Sequence, residues 1–253
     1  MKREIAIGTQ DFEFLRMNNG FYVDKTDFIR EWWKGLDAVT LITRPRRFGK
    51  TLNMSMLNCF FSNKYEGRDD LFEGLKVWDD PAMRAEQGKW PVISLSFADV
   101  KTTKTFADTR NSIEQIIIKQ YNNHSGMMKD SMFTDMDREM FAAVRRKMEP
   151  DIAARSLQNL CEWMEKYYGK KVLIFLDEYD TPLQEAYING YWDELVGFTR
   201  TMFNNAFKTN LALERGMMTG ITRVSKESIF SDMNNLKVFT TTSGKYEIGR
   251  AHV

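Results

Sequence analysis

Residues 39–51 read Val39-Thr40-Leu41-Ile42-Thr43-Arg44-Pro45-Arg46-Arg47-Phe48-Gly49-Lys50-Thr51. The first five are a short β-branched and apolar run, the pattern of a buried strand. An Arg/Pro/Gly loop follows, and from Thr51 to Phe61 the apolar residues return at helical spacing. Strand, loop and helix in that order, with Gly-Lys-Thr closing the loop, have the form of a Walker A phosphate loop. In such a loop Gly49 lets the backbone approach phosphate, while successive amides and the helix N-terminus cradle it. Lys50 reaches the β/γ oxygens and Thr51 puts its hydroxyl on Mg²⁺. The pattern departs from GxxxxGK[ST] at its first position, where Arg44 stands in place of glycine. A lone Gly-Lys-Thr is weak evidence, equally a surface helix start with a solvated lysine; its place between strand and helix gives it weight.

Outward from this loop, Val172-Leu173-Ile174-Phe175-Leu176-Asp177-Glu178 is a second buried-strand pattern, ending in two carboxylates as a Walker B motif does. Asp177 is positioned to hold Mg²⁺ and Glu178 to orient and deprotonate a water attacking the γ-phosphate. The bland alternative is a strand whose polar end meets solvent, with Asp180 capping a helix that begins near Thr181 and Pro182. Together the two motifs are far more specific than either. They lead us to expect that the strand ends at Thr43 and Leu176 are neighbours, bringing Thr51 and Asp177 to one metal.

Further strands are expected at Val92 to Phe97, Leu213 to Ile221 and Val238 to Thr242. Helices are expected around Ile113 to Ile118, over Leu157 to Tyr168 with Gly169 as terminator, and around Trp192 to Phe207. Near the N-terminus, Asp24 or Thr26 could cap a helix carrying Phe28, Ile29, Trp32 and Trp33, ended by Gly35; the tryptophans read as core rather than as an adenine platform. The stretch from Asn122 to Pro150 shows no strand pattern and reads as a helical insertion. This alternation predicts an α/β P-loop NTPase fold, a parallel sheet with helices on both faces and ligands at the carboxyl ends of its strands.

Composition sets the outer limits. A 43% hydrophobic and 13% aromatic chain of 253 residues is a packed globular protein, and a formal net charge of +1 gives no strong field for nucleic acid or membrane and argues neither way on nucleic acid. Local patches such as Arg44, Arg46 and Arg47 keep a nucleic-acid-binding module as a third reading. Two cysteines without CxxC spacing and two histidines speak against a disulfide scaffold, a zinc site or a histidine triad. With no signal-peptide core and no apolar run of membrane length, a cytoplasmic protein is expected.

With TRPRRFGKT (43–51), FLDEYDTPL (175–183), FYVDKTDFI (21–29) and TGITRVSKESIFSDMNNL (219–236) in hand, the chain resembles the bacterial AAA-ATPase-like proteins, which are P-loop ATPases of the additional-strand type. The resemblance runs from about Ile5 to Tyr246. It explains Arg44, since the family resembles RPRRFGKT at this loop, and it implies ATP and Mg²⁺ as cofactors, with Arg46, Arg47 and Phe48 joining Gly49, Lys50 and Thr51 around the phosphates. ATP over GTP rests on the same analogy, as the chain has no NKxD. In the TGITR block, Thr219 or Thr222 could sense the γ-phosphate and Arg223 could be an arginine finger in cis or in trans, the latter requiring a homo-oligomer. Equally, these are ordinary strand threonines and a surface-paired arginine. Asp24 and Lys25 match the VDKT block without assigned chemistry.

The resemblance also implies a C-terminal PD-(D/E)XK nuclease-like domain, hence nucleic acid as a partner of the full-length protein, so residues 1–247 are expected to be a truncated P-loop domain. Residues 248–253, IGRAHV, match the translation of a common sequencing adapter and are expected to be a non-native tail packing against nothing. An ATPase and a nucleotide-dependent switch with little hydrolysis both fit these motifs; Glu178 favours the first and Arg44 the second.

Overall fold

The computed structural model describes residues 8–221, 229–230 and 233–240. Among these, β1 (Val39–Thr43), β2 (Val92–Ser96), β3 (Val172–Asp177), β4 (Leu213–Gly220) and β5 (Leu236–Phe239) form one sheet in the order β2-β3-β4-β1-β5. Every pairing is parallel. The helices are α1 (Phe12–Met17), α2 (Asp27–Lys34), α3 (Lys50–Phe61), α4 (Pro81–Arg84), α5 (Phe106–His124), α6 (Asp135–Ala142), α7 (Pro150–Tyr168), α8 (Thr181–Asn189) and α9 (Trp192–Phe203).

A strand covered on both faces reads as continuously apolar, and β3 shows why. Val172, Ile174 and Leu176 face one layer, where Ile113 and Ile117 of α5, Leu157 and Leu160 of α7 and Leu195 of α9 pack. Leu173 and Phe175 face the other, against Phe28 and Trp32 of α2 and Leu57, Phe60 and Phe61 of α3. Burying each such side chain stabilises the fold by about 1.5–3 kcal/mol, so the sheet and its two helical layers form as one unit. Trp32 is a core residue as expected, edge-on to Phe61 at 5.4 Å and to Phe175 at 5.7 Å.

The insertion is helical, with a 3₁₀ turn at Ser125–Lys129, then α6 and the start of α7. α7 begins seven residues before Leu157, because Pro150 sits at its N-terminus and the small Ala153, Ala154 and Ser156 carry its first buried turn. Past Phe203, α9 widens into a π-turn at Asn204–Lys208. β5 starts earlier than Val238, at Leu236, and within the described residues ends at Phe239.

One expectation, and the bland alternative for Asp180, need correction. The ends of β1 and β3 are not neighbours, because β4 pairs with both and separates them by two strand spacings, about 9–10 Å. Periodicity identifies parallel strands but does not order them. Asp180 occupies the N-cap position of α8 yet makes no side-chain cap bond; its carboxylate is used elsewhere, as described below. Likewise Thr26 caps α2 in position only, and Asp24 accepts from the Thr26 amide and hydroxyl while its second oxygen takes the Lys76 amide.

His124 ends α5 almost fully buried, its Nε2 without a hydrogen-bond partner. Burial, with the Lys64 charge adding to it, pushes the imidazole down from the usual 6.5 to about 4. The folded state therefore holds it neutral while the unfolded chain takes up a proton, so stability present above pH 6.5 is lost as pH falls toward 4. Urea unfolding should show a loss of about 2 kcal/mol between pH 7 and pH 5 from this group alone, absent in His124→Gln. Equal pH slopes in both proteins would refute the assignment.

Candidate functional site

The loop of residues 44–49 begins where β1 ends. The Arg44 amide donates to Gly220 O of β4 at 3.1 Å, so the chain leaves the sheet tied to its neighbour. Arg47 and Gly49 then both adopt left-handed backbone, with φ of 66° and 73°. Left-handed residues at alternate positions turn neighbouring amides to one side, the concavity that binds anions. Gly49 takes this conformation freely; at Arg47 it costs about 1–2 kcal/mol. Gly49 is also the N-cap of α3, makes no side-chain cap bond and is followed by no acidic residue in the first turn. The α3 amides are thus uncapped by side chains and face the loop, where a helix N-terminus favours negative charge.

Lys50 crosses the mouth of this loop. Its ammonium donates to Arg44 O and Pro45 O, both at 3.0 Å, joining the last residue of the loop to the first two. The side chain is buried, and burial pulls its pKa below the ordinary lysine value. Asp177, Glu178 and Asp180 oppose that shift while Arg46 adds to it. The ammonium therefore sits in the field of all three carboxylates of the acidic motif. Pro45, Arg46 and Arg47 are exposed along the loop, Phe48 is half-buried, and Thr51 follows Lys50 in the first turn of α3.

Arg44, the departure from the glycine pattern, is buried. Its Nη1 donates to Thr43 O at 3.0 Å and to Phe239 O, at the end of β5, at 3.1 Å. Those bonds lie along the β1/β5 edge, which is how an arginine fits where phosphate loops carry glycine.

On the acidic side, Asp177 ends β3 and is buried. Its Oδ1 accepts from the Thr219 hydroxyl of β4 and from the Glu178 amide. Its Oδ2 is buried without a hydrogen-bond partner. A buried carboxylate oxygen left unpaired is costly, and a cation or a cation-bound water satisfies it. Among the described residues no three His, Cys, Asp or Glu side chains group to hold a metal. Mg²⁺ in nucleotide sites needs no such cage, taking one or two carboxylates plus phosphate oxygens, so the unpaired Asp177 Oδ2 fits the carboxylate part of such a site.

Glu178 adopts φ 52°, a left-handed backbone in a residue with a side chain. Such strain costs on the order of 1–3 kcal/mol and persists where the surroundings impose it. Here the Tyr179 amide is fixed to Thr219 O at 3.0 Å and the Thr181 hydroxyl donates to Glu178 Oε2 at 3.1 Å. Asp180, fully buried, accepts through Oδ2 from the Ile221 amide at 3.0 Å and from Gln184 Nε2 at 3.1 Å. Gly220 lies between these groups: a Cβ there would stand 2.6 Å from the Tyr179 ring and 2.8 Å from Asp180 Oδ1.

The structure thus gathers Lys50, Asp177, Glu178 and Thr219 at the carboxyl end of the sheet, with Thr51 beside Lys50. Thr222, Arg223 and residues 248–253 lie outside the described residues. Sequence reasoning missed the side-chain work of Arg44, Thr181 and Asp180. The only signal for Asp180 was its acidic character before α8, which reads equally as a cap.

A parallel sheet whose phosphate-loop strand and acidic strand flank a third strand carrying a threonine between them defines a P-loop NTPase-like α/β domain. The family model described as Predicted AAA-ATPase matches residues 6–230, and the chain belongs to this AAA-ATPase-like family, which implies ATP binding. A protein of Azotobacter chroococcum mcd 1, described as an uncharacterized protein in the vnfD 5' region, is 24% identical over 242 residues. That match covers 93% of this chain and 40% of the relative, so the chain spans about two fifths of that relative's length. No solved structure matches the chain. No helix among the described residues is long and apolar enough to cross a membrane.

Thr219→Val keeps the shape of the side chain but removes the donor that holds Asp177 Oδ1. Urea denaturation at neutral pH should show a loss of about 1–3 kcal/mol, the cost of leaving a buried carboxylate oxygen less satisfied. A loss below about 0.5 kcal/mol, the scale of an ordinary surface substitution, would mean that the bond does no such work.

Proposed function

We propose that the domain binds ATP with Mg²⁺ and hydrolyses it. The observation that carries this reading is the closed loop: a buried ammonium spanning from Lys50 to Arg44 O and Pro45 O, opposite an acidic motif whose Asp177 Oδ2 lacks a partner. In this reading the loop amides and the α3 N-terminus hold the β- and γ-phosphates, and Lys50 turns part of its hydrogen bonding onto their oxygens. Phe48 and Gly49 shape the cradle, and the exposed Arg46 and Arg47 add positive charge at its rim. Thr51 and Asp177 hold Mg²⁺, which when bound neutralises charge on the phosphate oxygens. Thr219 keeps the Asp177 carboxylate in place, and Glu178 orients the attacking water and accepts its proton. Arg223 is kept as the candidate finger on resemblance alone. The output we propose for turnover, control of a nuclease-like effector acting on nucleic acid, has the same basis.

One observation favours a nucleotide switch with little hydrolysis. The Thr181 hydroxyl engages Glu178 Oε2 and so holds one of the two carboxylate oxygens toward α8 rather than toward an attacking water.

Two variants separate these readings. Lys50→Ala should weaken ATP binding and turnover together, since it removes a binding charge. Glu178→Gln should keep binding while lowering phosphate release by roughly 10²-fold or more, the scale of general-base loss. Wild-type phosphate release no faster than that of Glu178→Gln, with binding intact, replaces the hydrolase by the switch.

A further inference from the structure

We propose that Arg44 is a positioning residue that couples occupancy of the phosphate loop to the end of β5. The proposal rests on the nucleotide-binding reading above and adds a direction in which binding is felt. Among the described residues, the polar connections of residue 44 reach several parts of the site. Its amide holds Gly220 O of β4 and its carbonyl holds the Lys50 ammonium. Its guanidinium holds Thr43 O of β1 and Phe239 O of β5.

Among the described residues β5 is a four-residue strand paired with β1 alone, at the edge of the sheet. Its last carbonyl, Phe239 O, accepts from Arg44 Nη1 and, at 3.5 Å, from the Thr43 hydroxyl. Both donors belong to the junction of β1 and the loop. A short edge strand frays readily, so a charge-assisted bond at its end sets how often that end opens. With glycine at position 44 the loop would have no side chain to reach Phe239. Phosphate entering the loop draws part of Lys50's hydrogen bonding off Arg44 O but fixes the loop amides on the ligand, and that ordering of the loop backbone steadies residue 44 and its guanidinium on Phe239 O. The arginine in the glycine position thus makes β5 responsive to nucleotide.

Hydrogen exchange read by mass spectrometry tests this on the whole chain, with and without Mg-ATP, in wild type, Arg44→Gly and Arg44→Lys. Glycine restores the ordinary loop residue and should retain ATP binding. Without nucleotide, Arg44→Gly should exchange the amides of residues 236–239 about tenfold faster or more, the effect of losing one charge-assisted bond. In wild type, Mg-ATP should slow exchange both at residues 50–53, its direct signature, and at residues 236–239. In Arg44→Gly only the first effect should remain, and Arg44→Lys should recover part of the second. Slowing at 236–239 in Arg44→Gly equal to wild type overturns the proposal, as does wild-type slowing at 50–53 with none at 236–239. If both variants stay folded by circular dichroism but lose ATP binding, Arg44 belongs to the phosphate cradle itself and the coupling claim is wrong. No ATP binding by wild type removes the nucleotide reading instead, and the proposal with it.

Discussion

The structure turns on the buried ammonium of Lys50. Lys50 takes its ammonium out of water, which is unfavourable by several kcal/mol unless partners replace the lost hydration. Two backbone carbonyls and the field of three carboxylates do so here. Because those carbonyls belong to Arg44 and Pro45, satisfying the cation also closes the loop. Because the carboxylates belong to the end of β3, it also ties the loop to a strand two places away in the sheet. Remove the ammonium and the loop loses the contact that holds its beginning to its end.

The intervening strand makes that arrangement workable. With β4 between β1 and β3, the loop and the acidic motif leave the same end of the sheet on either side of one strand. β4 carries two residues suited to that position. Thr219 supplies a hydroxyl to Asp177, and Gly220 leaves room for the Tyr179 ring and Asp180 while its carbonyl receives the Arg44 amide. Strain is present at the same place: Arg47 and Glu178, two of the five left-handed residues with side chains among the described residues, lie on the two sides of β4. Backbone of that kind is kept where the arrangement matters more than its local cost.

Much of this was legible in the sequence, for identifiable reasons. The runs ending at Thr43 and Asp177 are apolar on both faces because parallel strands are covered on both faces, and a strand followed by Gly-Lys-Thr or Asp-Glu has few other readings. Illegible parts depended on contacts across the chain. Which strands are neighbours is not written in the period of any one strand, so β1 and β3 were expected side by side. The start of α7 was hidden by small buried residues that carry little hydrophobic signal. Asp180 looked like a cap because acidic residues before helices are caps, yet the Ile221 amide, 41 residues away, claims its carboxylate. Arg44 looked like a defect in the loop, and its work appears only once β5 is placed beside β1.

The central claim is that Lys50 and Asp177 serve one nucleotide and its metal. Calorimetric titration with ATP, in Mg²⁺ and then in EDTA, for wild type and Asp177→Asn, tests it most directly. Wild type should bind more tightly with Mg²⁺ than without, and Asp177→Asn should bind metal-free ATP much as wild type does while losing most of the gain from Mg²⁺. An affinity in wild type that is indifferent to Mg²⁺, or a Mg²⁺ gain that survives intact in Asp177→Asn, would contradict the account.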